Sequence, residues 1–318
     1  MLSAALVLLL LSCAGQLASG SQFGDLCAQL YLLYLYAAIF VLAIVALDWF
    51  IGKRRTVEIK ACLTILGLVV AGSLAKMIPL YTRLDKAPET HNLTLYLFNI
   101  CGEYNKDKST LLEQIKREKP DIAFISELCG GWENDLDEKM KAYFPYCDDL
   151  DKASFLRIYS KFPIVEKQMR VSEFDHRCRL LVKVNHPQLG PVSFDFVHTI
   201  FPLGKPVFFE ERNKEFALYQ DDLKTLGSPA MIVGDLNCTP WSPYFDKILK
   251  DCNLKDSERG FGVQPSFPAP WLPLMILPPL LPIDHVLVTD KIFVKERKPL
   301  EHAGSDHFPL LVKVWIEK

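Results

Sequence analysis

The chain contains 318 residues, of which half are apolar, 36 are basic and 38 are acidic. Residues 1–85 hold only six of the basic and four of the acidic side chains, so the remainder carries 30 basic and 34 acidic groups. Proteins that hold nucleic acid nonspecifically usually show a basic surplus, because Lys and Arg neutralise phosphates. The absence of such a surplus disfavours this class. None of the nine cysteines forms a C-x-x-C pair, so a zinc site is not indicated either.

The N-terminal part of the chain is rich in uncharged apolar stretches. Residues 30–47 are eighteen residues without a charge, which is enough for a helix to cross the hydrocarbon core. Residues 61–75 form a second stretch, and residues 6–11 are continuously aliphatic. The small residues at 18–20 would also suit a signal peptide, but no basic region precedes them, which favours an uncleaved helix. We therefore predict a transmembrane region over residues 1–85 with about three helices.

The charges between these stretches indicate an orientation. Lys53, Arg54 and Arg55 lie between the second and third stretches, and basic clusters of this kind stay in the cytoplasm. The third helix would then end on the opposite face. We predict an integral protein of the plasma or inner membrane with residues 86–318 on the extracytoplasmic side.

Residues 86–318 alternate between short apolar runs and helical patterns. Thr110 and Glu113 have the spacing of a capping box, which predicts a helix that ends at Pro120. A second helix is predicted over Glu210–Leu226. This mixed α/β order fits either two packed sheets with helices outside or one large mixed sheet. The predicted strands are Leu93–Phe98, Ile122–Ile125, Leu180–Val184, Val192–Val197, Met231–Val233, His285–Val288 and Leu310–Ile316.

Polar residues cluster at the ends of these predicted strands, where functional side chains are commonly displayed. Taken singly, each is an ordinary turn or loop residue. Their joint occurrence is more informative. The residues concerned are Asn99, Glu127, His198, Asp235, Asn237, Asp284, Asp306 and His307.

The motifs that contain these residues resemble the endonuclease/exonuclease/phosphatase superfamily. The strongest are Gly-Asp235-Leu-Asn237 and Ser-Asp306-His307, and the similarity extends from Leu93 to Ile316. The resemblance implies a four-layer α/β sandwich with two packed mixed β-sheets. The apolar N-terminus is similar to that of a membrane-bound, bacterial-type branch of the superfamily.

The resemblance also implies a metal site. Glu127 would be the principal ligand of Mg²⁺, with Asp306 and Asn99 contributing directly or through water, and Mn²⁺ is the alternative metal. Mg²⁺ suits these residues because it prefers hard oxygen ligands and keeps several waters.

The remaining motif residues would carry the hydrolysis itself. His307 would contact phosphate or act as general base, and Asp284 would orient its imidazole. Asp235 would orient or deprotonate the attacking water. Asn237 would donate to a phosphate oxygen, and His198 would stabilise charge on the phosphate or leaving group. Whether Asp235 or His307 takes the proton stays open.

Two further residues are assigned to substrate binding. Arg212 is expected to bind or orient phosphate. Trp271 belongs to an uncharged, proline-rich run, Phe267–Ile283, which leads directly into Asp284. This run is either a loop packed on the domain's own surface or an apolar lip that contacts lipid.

Two positions distinguish the chain from abasic-site endonucleases. Cys101 replaces an acidic residue, and His198 replaces a tyrosine. The sequence therefore predicts a membrane-anchored, Mg²⁺-dependent phosphoesterase that acts on a lipid or another small phosphoester. No protein partner is predicted, and nucleic acid is the alternative substrate. The alternatives are an extracytoplasmic nuclease and, less favoured, a non-catalytic binding protein on the same fold.

Overall fold

The computed structural model describes residues 1–18, 20–51, 57–83, 88–147, 154–269 and 278–318. Its N-terminal part is helical. Two helical stretches, Tyr31–Ile51 and Val57–Tyr81, are long and apolar enough to cross a membrane, with mean hydropathies of 2.2 and 2.0. The first two helices meet at a bend of 117° and would form a third span if counted together. The helices are α1 (Leu2–Leu17), α2 (Gln22–Gln29), α3 (Tyr31–Ile51) and α4 (Val57–Met77), and a short 3-10 helix follows at Ile78–Tyr81.

The rest of the described chain forms two six-stranded sheets. The first sheet has the strand order β11-β12-β1-β2-β4-β3, and its strands are β1 (Leu93–Asn99), β2 (Ile122–Ser126), β3 (Tyr146–Cys147), β4 (Arg157–Ser160), β11 (Ile292–Pro299) and β12 (Leu310–Ile316). The second sheet has the order β5-β6-β7-β8-β10-β9, and its strands are β5 (Ile164–Val171), β6 (Cys178–His186), β7 (Gly190–His198), β8 (Ala230–Asp235), β9 (Lys255–Asp256) and β10 (Asp284–Val288). Four helices accompany the sheets: α5 (Lys108–Glu118), α6 (Glu133–Met140), α7 (Pro206–Leu226) and α8 (Pro243–Asp251).

Successive side chains of the central strands point to opposite faces of their sheet, and this alternation produces the layers. In β1, Leu93, Leu95 and Leu97 face the second sheet, whereas Tyr96 and Phe98 pack in the cluster that includes α5 and α6. A third cluster joins α7 and α8 to the outer face of the second sheet. The result is a helix–sheet–sheet–helix sandwich. The predicted four-layer fold with two packed mixed sheets is confirmed.

Strand pairing brings the ends of several strands to one edge. Asn99 pairs with Ser126 in the parallel β1–β2 ladder, and His198 pairs with Asp235 in the parallel β7–β8 ladder. Asp284 pairs with Asp235 in the antiparallel β8–β10 ladder. Chain segments that follow or precede these strands therefore converge at the same edge of the sandwich.

The close approach of β7 to β8 depends on Gly234. Its φ is +134°, and a Cβ added there would lie 2.0 Å from the carbonyl oxygen of Val197. Only glycine combines this backbone conformation with the absence of a side chain. The glycine of the Gly-Asp motif is therefore a structural requirement of the ladder that presents Asp235.

The N-terminal helices pack against the sandwich through polar as well as apolar contacts. Asp25 in α2 forms a 2.8 Å ion pair with Arg212 in α7, and its carboxylate also accepts from Ser242. The carbonyl oxygen of Leu80 accepts from the amides of Gly260 and Gly262 at 2.7 and 3.0 Å. The helix before α3 and the 3-10 helix after α4 thus both contact the same sandwich.

Several local expectations need correction. The helix predicted to start with a Thr110 cap begins at Lys108, because Asp107 is the N-cap and accepts from the Thr110 amide at 3.1 Å. Strands β3, β4, β5, β9 and β11 and helices α6 and α8 were not predicted. Residues 53–55, on which the predicted orientation depends, lie outside the described residues.

Candidate active site

Three residues at the strand edge form a connected acid–base array. The imidazole Nδ1 of His307 lies 2.8 Å from Asp284 Oδ2, and its Nε2 lies 3.7 Å from Asp235 Oδ2. All three side chains are buried. Their candidate ligand atoms lie within 4.8 Å of one another. The residues predicted to move protons are therefore adjacent.

Burial and mutual charge set the protonation of this array. Burial alone would lower the pKa of His307, but the charges of Asp284, Asp235 and Asp306 outweigh it and raise the pKa to about 10. Burial, together with repulsion from Asp284, raises the pKa of Asp235 to about 7. Burial opposes ionisation of Asp284 as well, yet His307 holds its pKa below the ordinary value. An imidazolium held between carboxylates is the result.

The three predicted metal ligands lie beside this array. Asn99 Nδ2 donates to Glu127 Oε1 at 2.9 Å and to Asp235 Oδ2 at 3.3 Å, so it connects the two sheets. Its Oδ1 accepts from the Cys101 amide at 3.2 Å. In this orientation Asn99 presents a donor to the carboxylates, and direct ligation through its oxygen would require the amide to turn.

Glu127 and Asp306 supply oxygens suited to a hard cation. Glu127 accepts from Asn99 Nδ2 at 2.9 Å, and Ser305 Oγ lies 2.7 Å from the Asn99 carbonyl oxygen and 3.3 Å from Asp306 Oδ1, so both carboxylates lie around Asn99. Glu127 adopts a left-handed φ of 55°, a conformation that non-glycine residues often show at functional sites. This oxygen-rich set of donors fits Mg²⁺ or Mn²⁺.

His198 and Asn237 complete the edge. His198 Nε2 lies 3.4 Å from Glu127 Oε1 and 3.9 Å from Asp235 Oδ2, and burial lowers its pKa to about 4 despite the charge of Glu127. The Asn237 amide N–H donates to Asp235 Oδ1 at 2.7 Å, and its Nδ2 donates to the Thr199 carbonyl at 2.9 Å. Asn237 therefore holds Asp235 from the following turn.

Arg212 is not where the sequence suggested. Its guanidinium is fully buried, pairs with Asp25, and donates through Nη1 to the Asn237 carbonyl oxygen at 3.1 Å. It therefore has no access to a substrate phosphate in this arrangement. The expected phosphate contact is corrected to a supporting position behind Asn237.

The apolar run reaches the site at its described ends. The Phe267 ring lies 5.0 Å from the His307 ring, and the Ala269 amide donates to the Asp306 carbonyl at 2.6 Å. Phe267 also forms an antiparallel bridge with Leu281. Trp271, the predicted substrate contact, lies outside the described residues.

Sequence reasoning missed several contributors because their partners are distant in the chain. Ser305 Oγ donates to the Asn99 carbonyl at 2.7 Å and accepts from the His307 amide at 3.1 Å. Ser266 Oγ accepts from the Asp284 amide at 3.3 Å. Arg177 lines a cavity of about 600 Å³ together with Glu127 and His198. Of these residues, only Ser305 could have been found from the sequence, because it belongs to the Ser-Asp306-His307 motif.

Comparison with known proteins identifies the class to which this fold and site belong. A model described as the endonuclease/exonuclease/phosphatase family matches residues 97–307, which is more than half of the chain. The chain belongs to the endonuclease/exonuclease/phosphatase family. Its members are hydrolases of phosphoester bonds, and the chain is accordingly a hydrolase acting on ester bonds.

Solved structures agree on the fold. A family protein from Beutenbergia cavernae superposes with a TM-score of 0.57 at 20% identity, over 71% of this chain and 72% of that one. A mannosyl-6-phosphatase from Bacteroides thetaiotaomicron gives 0.56 at 20% identity, over 70% and 99%. Sphingomyelinase C from Streptomyces griseocarneus gives 0.51 at 16% identity, over 70% and 99%. No curated protein matches the chain.

Proposed function

We propose that this protein is a membrane-anchored, Mg²⁺-dependent phosphoesterase that attacks its substrate with water. The observation that carries the proposal is the convergence of His307, Asp284 and Asp235 beside Asn99 and Glu127. Arrays of this kind combine groups that move protons with groups that hold a cation. Both are needed for in-line displacement at phosphorus.

Glu127 and Asp306 would hold the metal, and Asn99 would keep the Glu127 carboxylate in position. When bound, the metal supplies Lewis-acid stabilisation of charge on the phosphoryl oxygens. Mn²⁺ also prefers carboxylate oxygens, so it is the expected substitute for Mg²⁺.

The proton of the attacking water would pass to Asp235, since His307 as an imidazolium has no free nitrogen lone pair to accept it and would instead contact the phosphate. Asp284 fixes the orientation of the imidazole through the 2.8 Å contact to Nδ1. His198 lies on the other side of Glu127 and faces the cavity, where it would stabilise charge on the phosphate or leaving group.

The substrate would be a lipid or another small phosphoester. Arg177 lines the cavity beside Glu127 and forms a 2.8 Å ion pair with Asp175, and the apolar run from Phe267 approaches the same edge. Two structural neighbours are described as a mannosyl-6-phosphatase and a sphingomyelinase, whose substrates are of these kinds. The net negative charge of residues 86–318 favours this reading over a nuclease.

The helices α3 and α4 would anchor the protein in the membrane. The contacts of Asp25 and Leu80 with the sandwich support this arrangement, because they bring the helix before α3 and the segment after α4 to the same side. The basic residues 53–55 would then lie on the opposite, cytoplasmic side. The catalytic part would face away from the cytoplasm, and a reporter fused at Lys318 that is active only in the cytoplasm would contradict this.

The decisive experiment uses the full chain in detergent. The N-terminal helices must be present because Asp25 in α2 forms the buried ion pair with Arg212. Hydrolysis of bis-p-nitrophenyl phosphate, phospholipid vesicles and plasmid DNA is measured with Mg²⁺ or with EDTA. Asp235→Asn and His307→Gln should each lower the rate by about 10²–10⁴-fold. Asp221→Asn, at an exposed position of α7, is the matched control. Unchanged rates in both site variants would overturn the assignment, and activity confined to plasmid DNA would favour the nuclease.

A further inference from the structure

A second cavity lies away from the catalytic edge, where the N-terminal helices meet the sandwich. Its volume is about 1020 Å³. Lys76 and Leu80, at the end of α4 and in the 3-10 helix, form one wall. Lys250 in α8 and Arg259 beyond it line the other. None of the residues proposed for catalysis lines this space.

The cavity is lined by more cations than anions. Lys76, Lys250, Lys255 and Arg259 contribute positive charge, whereas Asp246 and Asp256 are the acidic residues. Burial raises the pKa of Asp256, and the charges of Arg297 and Arg259 oppose the shift. Neither Lys76 nor Lys250 forms an ion pair with any residue in the described ranges. This balance of charges suits an anionic ligand.

The lining is also partly apolar. Leu80, Trp241 and Phe245 face the same space, so a ligand with both a charged and an apolar part fits it. Trp241 is only 7% exposed, and its indole N–H has no hydrogen-bond partner within the described part of the chain. A buried donor of this kind ordinarily finds an acceptor, and an oxygen of a ligand would supply one.

The cavity lies at the end of α4, a candidate membrane span, so the surrounding membrane is the source of the ligand. Val57–Tyr81 is a candidate span, and Lys76 lies near its end, where lysines reach the membrane surface. The Trp241 ring packs edge-on against Tyr31, at the start of α3, with ring centroids 6.5 Å apart. Tyr and Trp accumulate at this depth of a bilayer.

We propose that this cavity binds the headgroup of an anionic phospholipid from the surrounding membrane. The inference rests on the proposed membrane anchoring, and it assigns the lipid to a site separate from the catalytic edge. Basic pockets beside membrane helices recognise such headgroups through phosphate. A bound lipid would fasten the sandwich to the bilayer at the end of α4.

The experiment measures binding of a fluorescent short-chain phosphatidylglycerol to the full chain in neutral detergent. The double variant Lys250→Gln/Arg259→Gln should weaken binding about 30-fold, since each cation near an anionic headgroup contributes about 1 kcal/mol. Lys76→Gln, on the opposite wall, should weaken it about fivefold for the same reason. Lys247→Gln, on α8 but not lining the cavity, should retain wild-type affinity.

Competition identifies the source of the phosphate. Unlabelled phosphatidylglycerol should displace the probe, whereas phosphatidylcholine and glycerol 3-phosphate should not at equal concentration. Equal displacement by either competitor, or equal affinity of the double variant and Lys247→Gln, would overturn the proposal. Diester hydrolysis by the wild-type chain is followed in the same preparation. If the wild-type chain hydrolyses the diester but does not bind the lipid, only the lipid-binding inference is contradicted. If it binds the lipid but does not hydrolyse the diester, only the proposed catalytic function is contradicted.

Discussion

Asp25 of the N-terminal segment and Arg212 of α7 form a fully buried ion pair, 187 residues apart in the chain. The Arg212 guanidinium also donates to the Asn237 carbonyl, in the turn that follows Asp235. One side chain thus connects the segment before α3 to the catalytic edge. The N-terminal region therefore supports the candidate active site as well as being a candidate anchor.

Removing Asp25 should therefore affect both stability and activity. Asp25→Ala leaves a buried, uncompensated guanidinium, and we expect a loss of about 3–5 kcal/mol in the free energy of unfolding. Denaturant titration of the full chain in detergent measures this loss. The double variant Asp25→Leu/Arg212→Met should recover much of the stability, because well-packed apolar residues often replace a buried pair without loss. Equal stability of wild type and Asp25→Ala would contradict the prediction.

Replacing Glu127 tests the metal site directly. Glu127→Gln removes a carboxylate while preserving shape, so we expect weaker binding of Mn²⁺ as measured by calorimetry or electron paramagnetic resonance. Activity should fall with it and recover only partly at high Mg²⁺. Glu113→Gln, on the exposed side of α5, is the matched control. Unaltered Mn²⁺ binding in Glu127→Gln would place the metal elsewhere.

In the proposed mechanism Asp284 acts through His307, to which it is hydrogen-bonded. Asp284→Asn retains the size of the side chain but loses the charge that orients the imidazole, and we expect kcat to fall by about 10²–10⁴-fold. KM for a small diester should change much less, because Asp284 itself is buried behind the imidazole. Steady-state kinetics separate the two constants. A variant that changes only KM would show that Asp284 belongs to substrate binding.

Gly234→Ala should disrupt the β7–β8 ladder. The added methyl would meet the Val197 carbonyl oxygen at 2.0 Å, and neither backbone can move without breaking pairing. We expect a loss of about 1–3 kcal/mol in the free energy of unfolding. The control Gly67→Ala, where an added Cβ has nothing within 4 Å, should fold normally. Comparable melting curves for the two variants would mean that the ladder is more open than described.

The pH dependence of stability should report Glu258. Burial raises the pKa of its carboxyl to about 8, with Arg297 acting in the opposite direction. An unfolded glutamate titrates near about 4.3. Because the folded pKa is the higher one, the contribution of the neutral carboxyl is fully present below the unfolded value and is lost as pH rises through about 8.

Thermal unfolding of the full chain across this range measures the effect. Wild-type stability should decline as pH rises, and Glu258→Gln should show a smaller decline because an amide does not ionise. Glu210→Gln, at an exposed position of α7, should retain the wild-type slope. Parallel pH profiles for all three proteins would refute the role of Glu258.

The central strands were predictable because they are apolar and short. Leu310–Ile316 was predicted with the bounds it has, and β7 and β8 differ from their predictions only at the ends. The strand ends also indicated the site, since a polar residue directly after an apolar run must emerge at the edge of the sheet. Edge strand β5 was missed because its solvent-facing residues, among them Glu166, Lys167 and Gln168, leave no apolar period.

The partners of the site residues could not be predicted in the same way. Ser266, Ser305 and Arg177 become meaningful only when loops far apart in sequence meet. Arg212 was misplaced because a cation near a phosphate site suggests phosphate, whereas its carboxylate partner lies in the N-terminal segment. A single sequence contains no pattern that links Asp25 to Arg212.

The pairing of His198 with Asp235, and of Asp235 with Asp284, has an evolutionary consequence. A shift of one residue in either ladder would exchange the two faces of a strand, so polar groups would enter the core as apolar groups left it. The geometry of the reacting groups is therefore inherited with the hydrophobic interior and cannot drift separately from it. Changes in the connecting segments, such as the apolar run before Asp284, would leave this register intact.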